Sequence, residues 1–194
     1  PLLGLVHVGN RITQVRPLGV EEPLDLAVWA ANRREHPAGQ QLDLAAEARV
    51  RGELVWASTS TYLHCTKPPS GPRPLRSAFE VETPTTVWRL PADLGRRYAD
   101  VSGDRNPIHL STLTAKAFGF PHAIAHGMWL NARVLAALSP RLPDSYTVEV
   151  AFKTPARLPS AVAFEAARAD GEWTVAVHSA RSGKPHLTGR ISPR

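Results

Sequence analysis

Asp104 and His109 stand five positions apart in the run Gly103-Asp104-Arg105-Asn106-Pro107-Ile108-His109, with a proline between them. Proline fixes its own φ and interrupts regular structure, so the turn it makes can point both side chains into one space. A carboxylate and an imidazole on either side of one water molecule can hold it and exchange protons with it. A plainer reading of the same residues has Asp104 capping a turn and His109 starting a helix.

Ile124-Ala125-His126-Gly127-Met128 carries the second signal, because Gly127 opens an apolar run that reaches Leu138. The first N–H groups of a helix have no partner within it, and the helix dipole adds positive potential there. A glycine at that position lets a carbonyl oxygen approach closely, which is how an oxyanion hole is built. Gly127 can equally serve to pack the helix tightly against a sheet, and the two roles are compatible. His122 and His126 have a spacing that converges on a metal only within a helix, whereas Gly119 and Pro121 place them on a loop. No HExxH pattern or cysteine pair accompanies them, so no metal is expected, and these histidines are read as structural hydrogen-bonding groups near the site.

These residues need elements to hold them. Of Gly127 to Leu138, only Asn131 and Arg133 are strongly polar, which predicts a buried helix wrapped by other parts of the fold. It is too short for a bilayer, which takes about 20 apolar residues. Pro140 and Pro143 stop it. Upstream, Leu94, Tyr98 and Val101 share one face of a helix over 91–101 that ends at Ser102-Gly103, and Ser111 is an N-cap for a short helix ending at Gly119. Downstream the pattern is all strand: Val148, Val150 and Phe152, then Val162 and Phe164, then Trp173, Val175 and Val177, then Leu187 and Ile191, with turns at Asp170-Gly171 and Ser182-Gly183. A helix followed by such a meander implies an antiparallel sheet wrapped around it, an α+β layout.

The first part of the chain is also strand-like. Leu24, Leu26 and Val28 alternate with Asp25, Ala27 and Trp29; residues 32–40 read as a turn or bulge; 42–50 is a strand with one wet face; 54–63 is rich in Val, Trp, Thr and Tyr. Pro68, Pro69, Gly71, Pro72 and Pro74 mark an extended linker. The expected organisation is therefore 1–66, a linker over 67–76, and 77–194. A faint internal echo relates the two halves: Arg16-Pro17-Leu18 before a strand resembles Ala156-Arg157-Leu158-Pro159 before another, and Gly52-Glu53 resembles Gly171-Glu172. Nothing before Pro1 matches the segment that carries the helix, so the first repeat is expected to be incomplete.

Composition bounds the function. The 194 residues are 43% hydrophobic and 21% charged, as in ordinary globular proteins, and the single cysteine, Cys65, excludes an internal disulfide. No basic region precedes the apolar stretch 1–8 and no apolar run reaches membrane-spanning length, so neither a signal peptide nor a membrane span is expected and the location is taken as cytoplasmic. The net charge is +6, but its basic residues are scattered, with runs no longer than Arg33-Arg34 and Arg96-Arg97. That scatter argues against nucleic acid and suits a phosphate-bearing ligand or an acidic carrier protein.

Tyr98-Ala99, Ser102-Gly103-Asp104, Asn106-Pro107-Ile108-His109, Ala117, Gly119 and Ile124-Ala125-His126-Gly127-Met128 together resemble the motif of the MaoC-like, (R)-specific enoyl-CoA hydratases of the hotdog fold. Phe152-Lys153-Thr154-Pro155 and Leu158-Pro159 resemble the strand after the hotdog helix, and the first half resembles the degenerate repeat of double-hotdog members, without its helix. The resemblance implies reversible syn hydration of a trans-2-enoyl thioester, on coenzyme A or acyl-carrier protein, to the (3R)-3-hydroxyacyl thioester. Asp104 and His109 would activate water, Gly127 N–H would hold the enolate-like oxygen, and Asn106 would position the loop or the water. No cofactor is implied, since no electron moves. Lys153 and Arg157 are candidates for the coenzyme A phosphates, or else solvated charges. Two alternatives stand beside this one: a hotdog thioesterase, which usually lacks the Asp-x-Asn-Pro-x-His loop, and a non-catalytic acyl-thioester-binding subunit, some of which have lost the Asp and His kept here. A homodimer is possible but not required if the two halves already form a pseudo-dimer.

Overall fold

The computed structural model describes residues 5–66 and 86–194. The expected linker at 67–76 lies outside them. The described residues form a nine-stranded antiparallel sheet. Its strands are β1 (Leu5–Gln14), β2 (Asp25–His36), β3 (Gly39–Val50), β4 (Glu53–Cys65), β5 (Thr86–Leu90), β6 (Tyr146–Phe152), β7 (Ser160–Ala169), β8 (Glu172–Ser179) and β9 (Pro185–Pro193). Between β5 and β6 come α1 (Leu94–Ser102), α2 (Pro107–Leu110), α3 (Thr112–Ala117) and α4 (Gly127–Leu138).

The spatial order is β2-β3-β4-β1-β6-β9-β8-β7-β5. Read outward from the seam between β1 and β6, β1-β4-β3-β2 mirrors β6-β9-β8-β7. The seam itself pairs Gly9 with Ala151 through to Gln14 with Tyr146. This equates the β1–β2 connection with β6–β7, as the Arg16-Pro17 and Arg157-Leu158 echo suggests. It does not equate Gly52-Glu53 with Gly171-Glu172. The first turn joins β3 to β4, whose counterpart in the mirror is the β8–β9 turn, so that echo is out of register. Among the described residues, β5 and the helices have no counterpart in the first half.

The core lies where α4 packs on the second half of the sheet. Leu130, Val134 and Leu138, each four residues from the next, meet Val148, Val150, Val162, Phe164, Val175, Val177, Leu187 and Ile191, alternate residues of β6 to β9. The expected burial of α4 holds for this face. Ala132, Arg133, Ala136 and Ala137 face away and are exposed, and Arg133 lies over the Trp88 ring. Alanines make the sequence look apolar all round, but they carry too little surface to demand a cover.

Over 32–40, both a bulge and a turn are present. The β2–β3 register shifts between Ala31 and Arg34, where Asn32 has φ 52°, and β2 continues to His36 before turning. The bulge aims Asn32 and Arg34 at the buried Asp43, which also accepts from Thr61 Oγ1 at 2.7 Å. The same face that α4 covers in the second half continues over β3 and β2, where Leu26 and Val28 remain about 70% exposed.

Candidate active site

α1 ends at Ser102, and Gly103 caps it with φ 74°, a left-handed turn that glycine adopts without strain. The chain then enters a tight loop. Asp104 Oδ1 accepts from Asn106 N–H at 3.1 Å, and Asn106 Oδ1 accepts from Ile108 N–H at 3.3 Å as the N-cap of the one-turn helix α2, with Pro107 at its start. His109 N–H donates to the Asn106 carbonyl at 3.0 Å. The plainer reading of this loop is thus correct for Asp104, which closes a turn, but not for His109, since the helix starts at Pro107 with Asn106 as its cap. The turn is also compatible with chemistry, because Asp104 Oδ2 remains on the open side, 3.7 Å from His126 Nε2.

The segment before α4 is pinned as a short extended piece. Ala125 N–H donates to Ala156 at 2.8 Å, Leu158 N–H to Ala123 at 2.8 Å, and Ile124 bridges Arg157. This fixes the Ile124 carbonyl, which takes the His109 Nδ1–H at 2.7 Å. A proton on Nδ1 leaves the Nε2 lone pair free for the site. His126 donates from Nε2 to the Asp104 carbonyl at 3.0 Å and stacks on His109, ring centroids 3.7 Å apart. Asp104, His109 and His126 therefore each place one donor or acceptor atom within 4.8 Å of the others. The sequence pointed to Asp104 and His109 by spacing, and the structure brings them together. Of the two loop histidines, His126 joins them through structural hydrogen bonding, as expected, while His122 is exposed.

A carboxylate beside two imidazoles also resembles a cation site. His126 Nε2 is already committed as a donor to a carbonyl, so that nitrogen offers no lone pair for a cation; the arrangement favours proton handling over ligation.

Burial lowers the His109 imidazole to about 4, and the neighbouring His126 adds to the fall, against the opposing pull of the Ile124 carbonyl and Asp104. It is neutral near pH 7. Burial also lowers His126, opposed by Asp104. Tyr98 and Tyr62 are raised by burial and then by the charge of Asp104.

Gly127 is the first residue of α4, and its N–H has no acceptor among the described residues. A Cβ at Gly127 would lie 2.9 Å from two ring carbons of Phe152. Gly127 is therefore a close-packing contact, as one sequence reading expected, and its N–H is an unpaired donor at a helix start among the described residues. Lys153 and Arg157 follow on the loop after β6, with exposed side chains that make no ion pair among the described residues.

Sequence reasoning expected the first half to complete the substrate channel but named none of its residues beside the site. His7 on β1 stacks on Tyr62 of β4 at 4.6 Å and lies tilted against Phe152 at 4.8 Å. Burial lowers His7 to about 4, opposed by the Gly9 backbone and by Asp104, whose charge therefore reaches across to this residue. The available signal was one imidazole inside the apolar run Leu5-Val6-His7-Val8.

The model of the family described as MaoC like domain matches residues 74–188. The 3-hydroxyacyl-thioester dehydratase X of Mycobacterium tuberculosis is 37% identical over 197 residues, which cover 97% of this chain and 69% of that protein. A crystal structure of HtdX from the same organism superposes with a TM-score of 0.90 at 36% identity, covering 100% of this chain and 78% of that one. A 3-hydroxybutyryl-CoA dehydratase of Methylorubrum extorquens is 38% identical over 65 residues, 31% of this chain and 41% of that protein. The resemblance carried by the motif between Tyr98 and Met128 is thereby established on independent grounds, and the chain belongs to the MaoC-like family, with its hotdog fold.

Proposed function

We propose that this chain interconverts 3-hydroxyacyl thioesters and trans-2-enoyl thioesters, with the (3R) configuration at the hydroxyl-bearing carbon, on coenzyme A or acyl-carrier protein. The observation that carries this reading is the placement of the Asp104 carboxylate and the neutral His109 imidazole within 4.8 Å, in front of the helix that Gly127 opens. Two relatives bearing dehydratase names, one acting by its name on 3-hydroxyacyl thioesters and the other on 3-hydroxybutyryl-CoA, support it.

In the hydration direction, water lies between Asp104 and His109. Its oxygen forms a bond to C3 while one proton passes to His109 Nε2. The electron pair of the C2–C3 double bond moves toward the thioester, and Gly127 N–H stabilises the negative oxygen; donors of this kind are worth about 10²–10³ in rate. The stored proton then passes to C2 on the same face. Dehydration runs the steps backward. Asp104 stabilises the imidazolium that forms at His109, and Asn106 holds both residues in place through the two ends of the loop. Lys153 and Arg157 bind the phosphates of the carrier. Residues 77–194 form the catalytic hotdog and 1–66 a degenerate repeat that completes the substrate channel, joined by the proline-rich 67–76.

Separate incubation with (3R)- and (3S)-3-hydroxybutyryl-CoA tests this. Enoyl absorbance should rise with the (3R) substrate alone, without release of free thiol. Thiol release without enoyl formation would instead identify a thioesterase.

A further inference from the structure

We infer that His7, supplied by the first half of the chain, is a polar member of the active centre whose Nε2 accepts a hydrogen bond from the oxygen at C3, as the substrate hydroxyl or as the water that replaces it. The inference rests on the function proposed above and assigns a substrate contact to a residue outside the catalytic motif.

The imidazole of His7 lies between two aromatic rings, Tyr62 and Phe152. A phenyl ring would suit that position better than an imidazole does. The His7 Nε2 is buried and has no hydrogen-bond partner among the described residues. A buried polar atom left unpaired destabilises a fold, and each such atom in a native structure calls for a reason. Positions that break a local packing rule without a structural return are the ones expected at functional sites.

Location supplies the reason. Phe152, which touches His7, also rests against Gly127, where the oxyanion forms. Asp104 raises both His7 and Tyr62 through its charge, so the carboxylate lies within electrostatic range of this pair. An imidazole kept neutral and bonded through one nitrogen offers a lone pair on the other, and a lone pair takes an O–H donor. The O–H that comes to Asp104 in the reaction is the one at C3. A contact to that oxygen also gives the first half a chemical part in the site.

The test compares wild type with His7→Phe, His7→Gln and Asp104→Asn, measuring kcat and KM for trans-2-enoyl-CoA together with Tm. His7→Phe should lower kcat about 10-fold or more with KM nearly unchanged, while its Tm equals or exceeds that of wild type. His7→Gln, which keeps a polar atom near the Nε2 position, should recover most of the lost rate. Full activity in His7→Phe would overturn the inference, as would a loss confined to KM, or a His7→Gln variant no better than His7→Phe at equal Tm. Inactive wild type would overturn the proposed function itself. Active wild type with inactive Asp104→Asn and fully active His7→Phe would leave that function standing and remove the role of His7.

Discussion

The imidazoles of His109 and His126 are stacked with centroids 3.7 Å apart and planes inclined by 26°. One of them reports to the Ile124 carbonyl and the other to the Asp104 carbonyl, so the two strands of the loop that hold the reacting groups are tied to each other through a pair of neutral rings. Protonating either ring places a charge against its neighbour. That is one reason His109 stays neutral.

Replacing His126 should therefore act at a distance from the substrate. His126→Phe keeps a stacking ring and removes the donor to Asp104. It should lower kcat about 10-fold and leave the carrier-dependent part of KM unchanged, the loop being held less firmly. Steady-state kinetics on enoyl-CoA check this; an unchanged kcat would show that the hydrogen bond to Asp104 has no catalytic consequence.

Acid should weaken the fold. His7 and His109 both lie near 4, below the value of 6.5 expected in an unfolded chain. Between those values the unfolded chain binds more protons than the folded one, so stability is fully present above about 6.5 and falls as pH drops toward 4. Thermal unfolding across that range should show a falling Tm, and His7→Phe should make the fall shallower. A Tm indifferent to pH in that window would contradict the buried, neutral state of both rings.

Gly127→Ala keeps the backbone N–H but brings its Cβ to 2.9 Å from the Phe152 ring. Relieving that overlap costs about 1–3 kcal/mol and displaces a wall of the site, so both Tm and turnover should drop. Adding Phe152→Leu should recover much of the stability. If Gly127→Ala alone is as stable as wild type, the contact is not the tight one described.

Lys153→Ala and Arg157→Ala should raise KM for a coenzyme A thioester and leave a short N-acetylcysteamine thioester unaffected, since the latter has no phosphates. Equal effects on both substrates would assign these residues a structural role.

Asp104, His109, Asn106 and Gly127 were legible because their chemistry is local: a proline turn, an N-cap and a helix start are written within a few neighbouring residues. The strands of the second half were legible for the same reason, since alternation appears in sequence order. The arrival of His7 and Tyr62 was not, because it depends on how β1 meets β6 across a seam of residues more than 130 positions apart, and the stack of His126 on His109 was not, because it depends on how 123–125 pairs with 156–158. The out-of-register echo at Gly52-Glu53 shows the limit from the other side. A Gly-Glu pair describes a turn well but does not say which turn, and strand order alone distinguishes them.

The central claim is that Asp104 and His109 work as one unit on water at C3. The most direct measurement follows the absorbance of the enoyl-CoA double bond with wild type, Asp104→Asn and His109→Gln, each checked for an unchanged fold by circular dichroism. The account predicts that wild type removes the double bond and that each folded variant loses about 10²–10⁴ of the rate, the range for a positioned acid–base group. Folded variants as active as wild type would contradict it.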